Sequence, residues 1–172
     1  MDILLLGGQS PRHREWSRAI AASLESHGHR VSQLEYANWL DQTRVTDVEH
    51  EVAAVTHAAA TLTDPVVVAK SVGTLIATLA IGRGLLHPAG EVFLGLPLEA
   101  WADSDEATAY LTDLPPLTVV QNEHDPFGSA DDASRFVAAH APRTYTVEAV
   151  PGVSTHDYVD AEAIHHWASD RG

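Results

Sequence analysis

The chain contains no cysteine, which removes a disulfide framework and thiolate metal sites and leaves nothing that points to an oxidising compartment. Lysine is almost as scarce: Lys70 is the only one, and 10 basic residues face 24 acidic ones, for a formal net charge of −14. A polyanion is repelled by such a surface and no basic stripe offsets the field, so nucleic-acid binding is excluded. The acidity itself reads as solubility, with or without adaptation to salt. No apolar run approaches the roughly 20 residues of a membrane span, so no membrane partner is expected. The opening apolar stretch, residues 2–6, carries neither a basic leader nor a small-residue cleavage site, and the expectation is a cytoplasmic protein. Internal repeats, low-complexity tracts and linkers are missing as well. The 172 residues then form a single domain, residues 1–172, large enough to bury about two thirds of the surface its unfolded chain exposes.

What is present is an alternation of strands and helices. Residues 2–6 are near-continuously apolar and read as a central strand; residues 11–26 follow as a helix with Trp16, Ile20 and Leu24 on one face and Gly28 as its stop. Residues 30–36 alternate and suit an edge strand. Thr46-Asp47-Val48-Glu49 has the capping-box pattern, with Val48, Val52, Val55 and Leu62 at helical spacing behind it. Strands at 91–96, 117–121 and 145–150 are separated by a short acidic segment with one helix over 104–111, and by a helix over 129–139; a last helix carries Ile164 and Trp167. This is an α/β pattern: a doubly wound, mostly parallel six-stranded sheet covered by helices, with reactive groups gathered at the carboxyl ends of the strands.

The most informative segment is Val66-Val67-Val68-Ala69-Lys70-Ser71-Val72-Gly73, a buried strand, a turn of small residues and a helix that begins at once. A serine on such a turn projects its hydroxyl beyond the sheet, with helix N–H groups behind it. The same residues also describe an ordinary N-cap serine, so partners are needed. They follow in the order acid, then histidine. The strand at 117–121 runs into Asn122-Glu123-His124-Asp125-Pro126-Phe127-Gly128, and the strand at 145–150 into Pro151-Gly152-Val153-Ser154-Thr155-His156-Asp157-Tyr158. A serine hydroxyl needs an imidazole to take its proton and a carboxylate to hold the imidazole's tautomer. Ser71 is the candidate nucleophile, His156 the base and Asp125 the orienting acid. His124 competes as base and Asp157 as acid. Lys70-Ser71 matches the end of a phosphate loop, but the preceding positions are β-branched where that loop needs glycine, so no nucleotide is expected. The histidine pairs His27 with His29 and His165 with His166 have no partners at metal-ligand spacing, and neither a metal nor a cofactor is called for.

On these residues the chain resembles the α/β-hydrolase superfamily, from Gly7-Gly8 and Trp16 through the Ser71 turn, Asp125-Pro126-Phe127 and the His156 loop. It is most similar to the small, uncapped serine hydrolases related to retinoblastoma-binding protein 9, with Ala69 standing where the family's motif has glycine. The resemblance implies strand order 2-1-3-4-5-6 without a cap domain. It also implies an oxyanion hole formed by the N–H of Val72 and that of Gln9 or Gly8, although a plain tight turn accounts for Gly7-Gly8 equally well. Ser10, followed by Pro11, reads as an N-cap. The function expected is hydrolysis of small carboxylic esters, or of amides or thioesters, with a small molecule as the partner. A hydrolase-fold interaction module with a vestigial triad is the alternative.

Overall fold

The structure, a computed structural model, describes residues 1–43, 45–140 and 142–172. In chain order its elements are β1 (Asp2–Leu6), α1 (His13–Ser26), β2 (Arg30–Leu34), α2 (Ala37–Leu40), α3 (Val48–Ala59), β3 (Val66–Lys70), α4 (Val72–Gly82), β4 (Gly90–Leu94), α5 (Leu98–Ala102), α6 (Asp105–Tyr110), β5 (Leu117–Asn122), α7 (Ala130–His140), β6 (Tyr145–Val150) and α8 (Ala161–Ser169). All strand pairs are parallel and the order is β2-β1-β3-β4-β5-β6. This is the strand order that the resemblance to the α/β-hydrolases implied.

The central strands are apolar on both faces because both faces are covered. Ile3, Leu5, Val66, Val68, Val92 and Leu94 pack under α1 and α8, while Leu4, Leu6, Val67, Ala69 and Phe93 pack under α3, α4 and α7. The period of two along each strand sorts the side chains between the two clusters. The register sets Leu6 opposite Ala69 and Ala69 opposite Phe93, so β1, β3 and β4 end level at one edge of the sheet. Helix α4 is buried from Val72 to Ala80 and is accordingly hydrophobic all round. The segment between β4 and β5 holds only α5, α6 and the 3-10 turn Leu111–Asp113, which pack Trp101, Ala107 and Leu111 onto the core. No cap domain rises from it. Among the described residues no helix is long and apolar enough to cross a membrane.

Several boundaries differ from the sequence pattern. β2 stops at Leu34, and Tyr36 becomes the residue before α2, fully buried. Helix α1 begins at His13; the Ser10 hydroxyl accepts from the Arg12 N–H (3.4 Å) and its carbonyl from the His13 N–H (2.8 Å), so Ser10 heads a turn one step before the helix. The cap of α3 is Asp47, which accepts from the His50 N–H at 3.1 Å, while Thr46 donates instead to Asn38 Oδ1. The helix starts at Val48, so Asp47 and not Thr46 stands at the cap position, and the Thr46 hydroxyl is drawn to a buried amide.

Candidate active site

Strand β3 runs into α4 with Ser71 alone between them. Ser71 has φ 54° and ψ −124°, a conformation costing a non-glycine residue about 1–3 kcal/mol, which the surroundings must hold in place. They do so through the Ser71 N–H on the Leu94 carbonyl (3.1 Å) and through Thr74, whose N–H (2.9 Å) and hydroxyl (2.7 Å) both donate to the Ser71 carbonyl. Thr74 is fixed in turn by the Trp101 indole N–H at 3.0 Å. Gly73 is obligatory: a methyl there would lie 2.6 Å from the Gly7 carbonyl oxygen and 3.0 Å from that of Leu6. Ala69 has no such restriction, because its methyl sits in the core cluster beside Leu6 and Phe93. The tight approach falls after the serine, which is why alanine is accepted before it.

Asp125, on the turn after β5, is buried and its carboxylate is fully engaged. Oδ2 accepts from His156 Nδ1 (2.7 Å) and from the Tyr158 hydroxyl (2.8 Å), and Oδ1 accepts from the Phe127 N–H (2.8 Å). The Tyr158 oxygen accepts from the Asn122 N–H at 3.0 Å. Burial raises the Tyr158 phenol well above its ordinary value and Asp125 adds to the shift, so it stays a donor. With Nδ1 donating to the carboxylate, His156 presents Nε2 as an acceptor. That nitrogen is buried and, among the described residues, has no partner. The expected Ser71–His156 hydrogen bond is therefore not closed here, although both residues line one cleft of about 880 Å³. Phe127, half exposed, lies 4.7 Å from the His156 ring, and Gly95, at φ 72°, leaves the space that His156 and Tyr158 occupy. His124 is exposed beside Glu123, and Asp157, on the cleft wall, makes no bond to the His156 ring.

The turn after β1 has its carbonyls tied away from the cleft. The Gly7 oxygen accepts from the Tyr36 hydroxyl (2.8 Å), that of Gly8 from the Trp39 indole (3.1 Å) and that of Gln9 from the Asn38 amide (2.7 Å). Among the described residues the N–H groups of Gly8 and Gln9 donate to no protein acceptor. Val72 is the first residue of α4, so its N–H lacks a carbonyl one turn back. A methyl on Gly8 would come within 2.5 Å of the His13 ring and 3.3 Å of Ser71 Cβ, which places this turn directly against the serine.

Sequence reasoning missed His13, Tyr158 and the Tyr36-Asn38-Trp39 clasp, and it weighed Lys70 only against a phosphate loop. Lys70 is buried, its Nζ 3.0 Å from His13 Nε2 and 6.0 Å from the ring centroids of Trp16 and Tyr158. Burial draws the Lys70 ammonium down to about 8, against the pull of Asp157 and Asp125. Burial, and then Lys70, draws His13 down to about 4. A lone lysine at the end of an apolar strand was the available clue. Three other histidines meet across the fold: His29 Nε2 lies 2.9 Å from His165 Nδ1, and His27 stacks on His165 at 4.1 Å. Among the described residues, however, no three His, Asp or Glu side chains are arranged to hold a metal.

No protein-family model matches the chain, and no curated protein matches it. Solved structures do. The chain is similar to Est1E from Butyrivibrio proteoclasticus with ferulic acid bound (TM-score 0.74, 15% identity, 99% of this chain and 88% of that one). It is also similar to an alpha-beta serine hydrolase homologue from Coxiella burnetii (TM-score 0.74, 14% identity, 99% and 84%). The esterase Pf2001 from Pyrococcus furiosus aligns with a TM-score of 0.71 at 14% identity over 98% of this chain and 79% of its own. At such identities the likeness is one of fold: the chain has the α/β-hydrolase fold, and its structural neighbours include esterases and serine hydrolases.

Proposed function

We propose that the protein is a serine hydrolase of small carboxylic esters, or alternatively of amides or thioesters, working through Ser71, His156 and Asp125. The observation that carries this reading is the Asp125–His156 hydrogen bond of 2.7 Å beside a serine held at φ 54° in the same cleft. In the first half-reaction the Ser71 oxygen attacks the acyl carbon while its proton passes to His156 Nε2. The resulting oxyanion takes hydrogen bonds from the N–H of Val72 and that of Gly8 or Gln9. Collapse breaks the bond to the leaving alcohol, which takes the proton from His156 and leaves an acyl ester on Ser71. In the second half-reaction water gives a proton to His156 and attacks the acyl carbon; collapse breaks the ester bond to Ser71, whose oxygen takes the proton back from His156 as the carboxylic acid leaves. Asp125 keeps Nδ1–H toward itself and stabilises the imidazolium in both halves. No cofactor enters the scheme.

The short β4–β5 segment favours the small, uncapped type related to retinoblastoma-binding protein 9. Glu99, Asp103 and Asp157 on the cleft wall disfavour a long apolar acyl chain. The test is labelling of Ser71 by a fluorophosphonate, together with release of nitrophenol from acetyl, butyryl and palmitoyl esters by wild type and Ser71→Ala. Labelling that Ser71→Ala abolishes supports the reading. An unlabelled wild type, or equal turnover by both proteins, would favour an interaction module that keeps the fold without the chemistry.

A further inference from the structure

Lys70 is an unusual neighbour for the proposed nucleophile. It is the last residue of β3 and 1% exposed, and among the described residues it has no carboxylate within ion-pair distance. A buried ammonium without a counter-ion is costly, and among the described residues one side-chain hydrogen bond offsets that cost. Its hydrogen-bond partner is His13, the first residue of α1, and the ring of His13 lies against Gly8 so closely that a methyl on Gly8 would meet Cε1 and Nδ1 at 2.5 Å. Gly8 belongs to the turn that lies against the serine, and among the described residues the N–H groups of Gly8 and Gln9 donate to no protein acceptor. The chain of contact therefore runs from the residue before Ser71, through a side-chain hydrogen bond, to the backbone of the turn after β1.

We propose that Lys70 is a positioning residue for the oxyanion turn: by donating to His13 it clamps the imidazole ring on Gly8 and fixes the Gly8 and Gln9 N–H groups opposite Ser71. The inference rests on the serine hydrolase reading above and adds to it the device that registers the two halves of the oxyanion hole. The clasp of Tyr36, Asn38 and Trp39 holds the carbonyl side of that turn, and the Lys70–His13 bridge holds the side toward the serine. As donor to His13 Nε2, Lys70 makes its stronger, charge-assisted bond in the protonated form, and the neutral amine holds the ring more weakly. The groups facing the pair are Asp125, Asp157, Tyr158 and His156, all from the loops after β5 and β6.

The experiment compares wild type with Lys70→Met, His13→Leu, His13→Gln and the double variant Lys70→Met/His13→Leu, on a short nitrophenyl ester over a range of pH. A misplacement of the order of an ångström in an oxyanion donor costs up to about 100-fold in rate, so Lys70→Met and His13→Leu should each lower kcat by about 10- to 100-fold with little change in KM. The double variant should be no slower than the worse single one, because both break the same bridge. His13→Gln, which keeps an acceptor for the ammonium, should recover much of the rate. Wild-type kcat should fall as pH rises through about 8, where Lys70 loses its proton, and that limb should be missing in Lys70→Met. If Lys70→Met fails to fold, the His13 pair decides. An unchanged kcat in Lys70→Met, an effect on KM alone, single losses that multiply in the double variant, or an alkaline limb that survives in Lys70→Met would each overturn the positioning role while wild type is still labelled at Ser71. Absence of that labelling would instead bring down the hydrolase reading and this inference with it.

Discussion

Replacing Glu91 with glutamine is expected to stabilise the protein at neutral pH, and to do so less as the solution is made acid. Glu91 is fully buried in β4, paired in register with Val67 and Leu117, and among the described residues neither carboxyl oxygen has a hydrogen-bond partner. Burial alone pushes its pKa well above the ordinary 4.5. The folded chain thus holds a proton that the unfolded chain releases above that value. Where the unfolded state binds fewer protons, stability falls with rising pH, at about 1.4 kcal/mol per pH unit for one group. The loss accumulates from about pH 4.5 upward for as long as the folded chain keeps the proton. Glutamine matches the shape and buries a comparable unpartnered polar group, but has no proton to lose. Urea unfolding of both proteins at several pH values, with equal m-values as the check on comparable denatured states, measures the difference. A gain at pH 7 that amounts to about 1.4 kcal/mol for each pH unit over which the fold keeps the proton, and that shrinks toward zero near pH 4, is the expected result. A gain independent of pH, or a loss at pH 7, would refute the argument that Glu91 is buried in its protonated form.

Other outcomes follow from the site. Ser71→Ala should lower turnover of a short ester by roughly 10⁴-fold with the circular dichroism spectrum unchanged, and wild type should prefer acetyl and butyryl esters to palmitoyl. Asp125→Asn, which keeps the shape but exchanges the acceptor facing Nδ1, should cost about 10³- to 10⁴-fold in kcat through the wrong imidazole tautomer, read in the same assay. Tyr158→Phe removes both the donor to Asp125 and the acceptor of the Asn122 N–H; calorimetry should show a loss of about 1–3 kcal/mol, with a smaller effect on rate than Asp125→Asn. Gly73→Ala forces a methyl onto the Gly7 and Leu6 carbonyls, and since backbone cannot swing aside it should cost about 1–3 kcal/mol and disturb the oxyanion turn, lowering fluorophosphonate labelling.

The strands were legible in the sequence because each central one is a short apolar run with turn residues at its end, and a parallel sheet covered on both faces demands that pattern. The candidates Ser71, Asp125 and His156 were chosen for the same reason, each a polar side chain in the turn or loop that follows a strand. The supporting residues were not legible. Tyr158 meets Asp125 from 33 positions away and His13 meets Lys70 from 57, and no local periodicity encodes such pairs. Helices α2 and α5, of four and five residues, are too short for a hydrophobic period to show, so the clasp on the β1 turn stayed hidden. Tyr36 looked like one more alternating strand residue, when its burial and its bond to Gly7 end the strand. Glu91 gave no warning either: an acid at the start of a strand reads as solvent-facing until the neighbouring strands enclose it.

The solitary lysine also makes the protein its own reporter. Reagents that acylate amines find no lysine on the surface, because the one side-chain amine lies 1% exposed at the end of β3, behind His13, Trp16 and Tyr158. Acylation of Lys70 therefore waits for the fold to open there, and when closing outpaces the reagent its rate measures the free energy of that local opening. Peptide mapping after timed exposure to such a reagent would follow the site's breathing at a single atom, with no probe introduced and no residue changed.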